Sequence, residues 1–178
     1  MILVLIGPPG VGKGTQASRL EGALGVPQIS TGDLLRAAHR DGSSLGHEAA
    51  VFMDAGELVP DALVVSLIEE RLAQSDAQRG GILDGFPRTV AQAQSLQGIL
   101  QGQGRSLKRA LLLTVDEDTV IDRILGRRIC PSCHAVFHVS AQPPRRANNC
   151  DGCGTRLESR IDDTELAIRT RLANYRAS

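Results

Sequence analysis

At 178 residues the chain has the length of about one domain with room for a small insertion. Twenty basic side chains balance twenty acidic ones, so no global field favours nucleic acid or an anionic membrane, and any anionic ligand must be met locally. Three Phe (Phe52, Phe86, Phe137) and one Tyr (Tyr175) are too few for a base-stacking platform, which also argues against single-stranded nucleic acid.

The run Ile2 to Ile6 is continuously apolar, as in a strand buried on both faces of a parallel sheet. It is short, has no basic flank and runs straight into a glycine turn, so it reads as a strand rather than a signal peptide and predicts a cytoplasmic protein. The turn, "GPPGVGKGT" (residues 7–15), nearly spells a phosphate-binding loop. That pattern places Ser or Thr directly after the lysine; here Gly14 follows Lys13, and Thr15 comes one residue late. A strand, a glycine turn and a helix aim backbone N–H groups and the positive end of a helix dipole at phosphate. Gly7, Gly10, Gly12 and Gly14 permit close approach, and Lys13 adds a mobile charge. The plainer alternative, a glycine turn that binds nothing, is disfavoured by the lysine and the preceding strand.

A helix begins near Lys13, with Leu20 and Leu24 on one side. "VPQIS" (26–30) is a short strand, and Thr31 is positioned to cap a helix from Asp33 to Arg40. Pro60 and Asp61 open another helix, which continues through "ALVVSLIEERLAQ". "GGILDGFPR" (80–88) is a strand ending in a polar turn, followed by a helix from Thr89 to Leu100. "RALLLTV" (109–115) reads as a further buried strand, with a helix from about Glu117 to Gly126. This alternation predicts an α/β fold, a doubly wound parallel sheet flanked by helices, with ligands at the carboxyl ends of the strands. The chemistry is then expected in the turns at Gly7, Thr31, Asp84 and Asp116.

Residues 129–155 break the pattern, being rich in Pro, Asn and Gly, with a short strand pair around Ala135 to Val139. Cys130 and Cys133 form one CxxC, Cys150 and Cys153 another, matching a tetrahedral structural zinc site with no open position for activating water. Two disulfides or four free thiols are the alternatives, and a reducing compartment favours zinc. His134 and His138 are close enough to serve as substitute ligands but are not needed. A zinc ribbon beside Arg145 and Arg146 could suggest nucleic acid, on the weak support of one basic pair. From Asp163 a helical spacing resumes through Leu166, Arg169 or Thr170, and Leu172, with no capping glycine or closing strand before Ser178.

The spelling GxPGxGKGT, with "STGDLLR", "GELVPD", "LDGFPRT" and "DRILGRR" in order, resembles the nucleoside monophosphate kinases and, within them, the adenylate kinases. The resemblance runs from Met1 to the end of the chain. It implies a P-loop core (1–128 and 156–178), a monophosphate-binding segment (30–59) and a lid (about 126–163) carrying the zinc-binding insertion (129–155). It implies reversible, magnesium-dependent transfer from ATP to AMP giving two ADP, and so a part in adenine nucleotide homeostasis. Gly10, Val11, Gly12, Lys13, Gly14, Thr15, Arg123 and Arg127, with Val136 and Phe137, would hold ATP. Thr31, Arg36, Glu57, Leu58, Val59, Gly85, Phe86, Pro87, Arg88 and Gln92 would hold AMP, with Thr31 and Gln92 around its adenine. Arg160 and Arg171 would grip both phosphate groups. Lys13, Arg88, Arg123, Arg160 and Arg171 would carry catalysis.

The chemistry is consistent with that set. Phosphoryl transfer between two nucleotides gathers negative charge and relies on positioning and cations. The acceptor phosphate is already ionised, so no general base is required. Arginine suits the task through its planar, permanently charged fork. Asp84 stands where a P-loop protein often turns an acid toward magnesium, through water given that ion's reluctance to shed its hydration. Asp33 either joins that water shell or caps its own helix; Asp162 and Asp163 read as caps and lid ion pairs. Arg40, Arg71 and Arg105 read as solvated or surface-paired, and Arg128 has no clear assignment. The expected partners are ATP, AMP and ADP, with no nucleic acid, no membrane and a monomeric chain. Two other readings remain: a kinase of another monophosphate, and a non-catalytic nucleotide-binding fragment. The second arises because the resembled family continues some tens of residues further, with a last strand and helix. As it stands the chain is expected to leave a sheet edge and apolar surface uncovered, lowering stability and ATP binding.

Overall fold

The computed structural model describes residues 1–177, so the expected end of the last helix at Ser178 lies outside them. Strands β1 (Ile2–Ile6), β2 (Gln28–Ser30), β3 (Gly81–Asp84) and β4 (Leu107–Leu112) form one parallel sheet in the order β2-β3-β1-β4. β1 lies between β3 and β4, with Ile2 to Leu5 buried, which is why its apolar residues do not alternate with polar ones. The doubly wound α/β expectation holds. The carboxyl ends of β1, β2 and β3 deliver Gly7, Thr31 and Asp84 to one edge of the sheet, where such folds bind ligands.

β4 departs from expectation. It begins and ends earlier than the run 109–115, and every one of its residues is exposed, Leu112 by 64%. Among the described strands it pairs with β1 alone. An apolar run encodes a strand that suits a sheet, but not what covers its faces.

Helix α1 (Lys13–Leu24) packs its Ala17 and Leu20 over Leu3, Leu5 and Ile82, while Leu24 projects out at the helix end. The cap of α2 (Thr31–Arg40) is Ser30, not Thr31: the Ser30 hydroxyl accepts from Asp33 N–H at 3.3 Å. Ser30 has the extended backbone a cap requires, which frees the Thr31 hydroxyl to donate to the Gly85 carbonyl at 3.0 Å. α3 (Ser44–Ala55) lies where no helix was expected; Ser43 caps it, and a Cβ at its Gly46 would overlap the Ala38 backbone of α2. α4 (Asp61–Ala73) and α5 (Val90–Gly102) bury Val64, Ile68, Leu72, Leu96 and Leu100 with Phe86 and Leu83 in the largest core cluster. α6 (Glu117–Leu125) and α7 (Glu165–Ala177) meet through Val120, Ile124, Ile168 and Leu172. Between them, β5 (Arg127–Ile129) and β6 (Val136–His138) pair antiparallel over a small cluster of Cys130, Phe137, Cys150 and Leu157.

Candidate active site and metal centre

An open cleft of about 1790 Å³ runs from the glycine turn, past the ends of β2 and β3, to the inner side of the β5–β6 hairpin. At the turn, Gly12 sits at the cap of α1 with φ 107, a left-handed value that favours glycine, and a Cβ there would meet nothing within 4 Å. The space above it is free for a ligand. Lys13 Nζ donates to the carbonyls of Gly7 at 2.8 Å and Pro8 at 2.9 Å. Burial pulls its pKa down to about 8, with Asp84 opposing and Arg88 and Arg127 assisting. Burial likewise pushes the Asp84 carboxyl up, against the pull of Lys13. Gly14 now has a physical reason: a Cβ at that position would approach Asp84 Oδ2 to 3.3 Å, tight against the acid at the end of the neighbouring strand. Glycine keeps room for that carboxylate where the commoner loop places a hydroxyl.

Arginines ring the other side. Arg123 Nη1 donates to the Val11 carbonyl at 3.2 Å, and Arg88 Nε to the Gly85 carbonyl at 2.8 Å. Burial lowers the Arg88 pKa, with Arg171 adding to the effect and Asp84 opposing it. Arg36 pairs with Asp33 at 2.7 Å and faces Asp162 at 3.5 Å; Arg160 reaches across the cleft to Asp33 at 3.2 Å. Arg171 is ion-paired with Asp162, and Arg127 Nε donates to Asp163 Oδ2 at 2.9 Å. Burial would raise Asp33 and Asp162, but Arg36 and Arg160 around the first, and Arg171 and Arg36 around the second, hold both below the usual carboxylate value. Arg160 is pushed down to about 10, by burial first and then by its neighbours Arg36 and Arg127. Three carboxylates therefore occupy the cations that a polyanionic ligand would need.

Gly10 to Thr15, Thr31, Arg36, Glu57, Leu58, Val59, Gly85, Pro87, Arg88, Gln92, Arg123, Arg127, Val136, Phe137, Arg160 and Arg171 all line this one cleft. Phe86 does not: its side chain is fully buried in the core, between two residues that do line the cleft. The turn at Asp116 does not reach the cleft either, because α6 runs on from it and delivers Arg123 near its far end, with Arg127 just beyond in β5. Arg71 pairs with Asp76, as a surface role requires, whereas Arg105 is not ion-paired among the described residues but donates to the Leu72 and Ala77 carbonyls, and Arg40 lines the cleft. Arg128 donates to backbone carbonyls of Leu125 and Arg127. Sequence reasoning missed Asp61, whose carboxylate accepts from Gln92 Nε2 at 2.6 Å and from Thr89 Oγ1 at 2.9 Å. Its place inside "GELVPD" was the available signal.

The four cysteine sulfurs lie within 4.8 Å of one another, with Cys130 to Cys153 at 3.3 Å and Cys133 to Cys150 at 3.4 Å. These separations are too long for disulfides, and all four thiols are free. They are near the edge of about 3.8 Å expected for a tetrahedron of thiolates about 2.3 Å from a zinc ion. The donor set fits zinc without help from histidine. His138 is engaged elsewhere: its ring lies against Gly126, Nδ1 accepts from Ala141 N–H at 3.0 Å, and Nε2 lies 3.1 Å from the Asp122 carbonyl.

Residues 5–178 match the family model described as adenylate kinase. An adenylate kinase from Citrifermentans bemidjiense is 51% identical, over 99% of this chain and 83% of the relative. Adenylate kinases from Bacillus licheniformis (49% identical, 97% of this chain, 79% of the relative) and Archaeoglobus fulgidus (47%, 99% and 81%) are also similar.

Proposed function

The chain belongs to the adenylate kinase family, and from that premise we propose how this cleft moves a phosphoryl group from ATP to AMP, giving two ADP. The backbone N–H groups of Gly10 to Thr15 and Lys13 hold the ATP phosphates, with Arg123 and Arg127 beside them and Val136 and Phe137 on the lid side. Thr31, Arg36, Arg88 and Gln92 hold AMP, with the segment Glu57 to Val59 and the backbone of Gly85 to Pro87. Arg160 and Arg171 act on both phosphate groups. The observation that carries this reading is that Lys13 and Arg88 line one cleft with Asp84 and both act electrostatically on its carboxyl, at the end of β3 where it pairs with β1. Donor and acceptor phosphates brought to those two cations meet over one point.

With cations on both sides, the transferring group's charge is stabilised throughout, and AMP attacks without a general base because its phosphate is already ionised. Magnesium, which the family uses with ATP, would be held by Asp84 and Thr15 with the help of water and would supply further neutralisation of the phosphates. Zinc on Cys130, Cys133, Cys150 and Cys153 would stiffen the lid and take no chemical part, since four thiolates leave no open position. A stiff lid that closes excludes water and suppresses wasteful hydrolysis. We divide the chain accordingly into a core (1–128 and 156–178), a monophosphate segment (30–59) and a lid (about 126–163) with its zinc insertion (129–155).

No helix among the described residues is long and apolar enough to cross a membrane. We propose a cytoplasmic monomer that acts on ATP, AMP and ADP without nucleic-acid or membrane partners. Its contribution is to keep adenine nucleotides in balance. The test is AMP-dependent ADP formation from Mg·ATP in a coupled assay, with CMP, UMP and GMP as competing acceptors. No AMP-dependent turnover would sink the reading; equal or better use of another monophosphate would replace AMP.

A further inference from the structure

We propose that Asp61 is a positioning residue that fixes base selectivity by locking the orientation of the Gln92 amide. The inference rests on the reading above, in which Gln92 faces the acceptor's base. Gln92 is 2% exposed yet lines the cleft, and two groups of opposite character hold its two ends. Nε2 donates to Asp61 Oδ1 at 2.6 Å, while Oε1 accepts from the Arg88 backbone N–H at 2.7 Å. A carboxylate only accepts and a backbone N–H only donates. Turning the amide over would set carbonyl against carboxylate and NH₂ against N–H, two mismatches in a buried place.

Asp61 is fixed in turn. Its Oδ2 accepts from Thr89 Oγ1 at 2.9 Å, and that hydroxyl accepts from Gln92 N–H at 3.1 Å as the cap of α5. Asp61 stands in the first turn of α4, so the carboxylate is held between two helix starts. The locked amide has one N–H and one oxygen lone pair to spare, in a set order. Adenine presents an acceptor at N1 beside a donor at N6 and matches that order. Hypoxanthine and guanine present a donor at N1 beside an acceptor at O6, the reverse. The carboxylate thus converts an ambiguous amide into a reader of 6-amino purines, and rejection of the wrong base follows from polar groups left unpaired.

The experiment compares AMP with IMP, which differ little in shape but reverse this edge, as acceptors for the full chain with Mg·ATP. The ratio of their kcat/KM values cancels the amount of folded enzyme, so it remains readable if a variant is partly unfolded. Asp61→Asn can turn its own amide to accept a flipped Gln92 and is expected to narrow the AMP/IMP ratio by about tenfold or more, chiefly through a higher KM for AMP. Thr89→Val weakens the clasp but leaves the Oδ1 contact, and is expected to lower the melting midpoint without moving the ratio. An unchanged ratio in Asp61→Asn, or an equal narrowing in Thr89→Val, overturns the proposal and makes Asp61 a structural clasp. Gln92→Ala separates the two levels: if it leaves the ratio unchanged, Gln92 does not read the base, and the underlying assignment fails as well.

Discussion

Around Gln92, the bonds from Asp61 and the Arg88 N–H could persist when a nucleotide binds, whereas Arg36, Arg127, Arg160 and Arg171 are held by Asp33, Asp162 and Asp163 and, in the phosphate-binding role proposed for them, would have to change partners. The difference follows from what each region recognises. A base edge is neutral and directional, so its reader gains from being fixed beforehand. A phosphate group is highly charged, so its readers need a neutralising partner whenever it is absent.

The largest effect expected is at the phosphate centre. Lys13→Met should lower kcat by about a thousandfold or more, because its charge matters most as the phosphoryl group moves. The base pocket should hardly notice, leaving the AMP/IMP ratio within about threefold of the native value. The same variant should not melt earlier. The Lys13 pKa is about 8 when folded against 10.5 ordinarily, so burying the charged form opposes folding below about pH 8, an opposition that fades as pH rises toward 10.5. A melting midpoint well below native would contradict this.

Removing the metal should come next. Chelation is expected to lower the melting midpoint by about 5 °C or more and to raise the KM for ATP by about tenfold, since the lid carries Arg127 and Arg160 at its borders. The KM for AMP should move much less; equal shifts in both would erase the contrast between regions.

A smaller and more diagnostic effect is expected from Asp162→Asn. Losing one partner of a buried pair should destabilise the ligand-free protein by about 2 kcal/mol, moderated because Arg171 also donates to the Met53 carbonyl. Phosphate no longer has to displace that anion, so AMP should bind a few-fold tighter by calorimetry. The sign with pH is fixed: Asp162 is held below its ordinary value, so its contribution is complete above about pH 4 and fades as pH falls through the lowered pKa. The gap in stability between native and variant should close in acid.

The smallest effect is a proton count. Mg·ATP, whose phosphates are already ionised, should raise the Lys13 pKa by bringing phosphate against it, so binding near pH 8.5 should take up a fraction of a proton and binding near pH 6.5 almost none. Calorimetry in buffers of different ionisation enthalpy reads this directly.

What could be read from the chain beforehand was local. "GPPGVGKGT", the paired CxxC knuckles and the arginines of "STGDLLR" and "DRILGRR" carry their chemistry in short spacings, and all of these residues except Pro8, Arg128 and Cys153 border the cleft or the lid core. What could not be read depends on partners distant in sequence. α3 owes its place to Gly46 nesting against Ala38, which no periodicity reveals. Ser30 and Thr31 are neighbours, and the extended backbone at Ser30 decides which hydroxyl caps, while β3 brings up Gly85 to engage the other. β4 is apolar enough to suggest burial, but its faces depend on what lies against them. Asp61 looked like an ordinary first-turn acid because its partners, Thr89 and Gln92, lie on the next helix.

Asp33, Asp162 and Asp163 are anions that cannot diffuse away, and so, under the proposed assignment, they would compete with a departing product at the effective concentration of a tethered ligand. As an ADP phosphate loosens, each guanidinium has a replacement within reach, and exchange can proceed one contact at a time. The cleft can be emptied without leaving four cations bare against one another. Under that assignment the same carboxylates that an arriving phosphate displaces would hasten release at the end of each turnover.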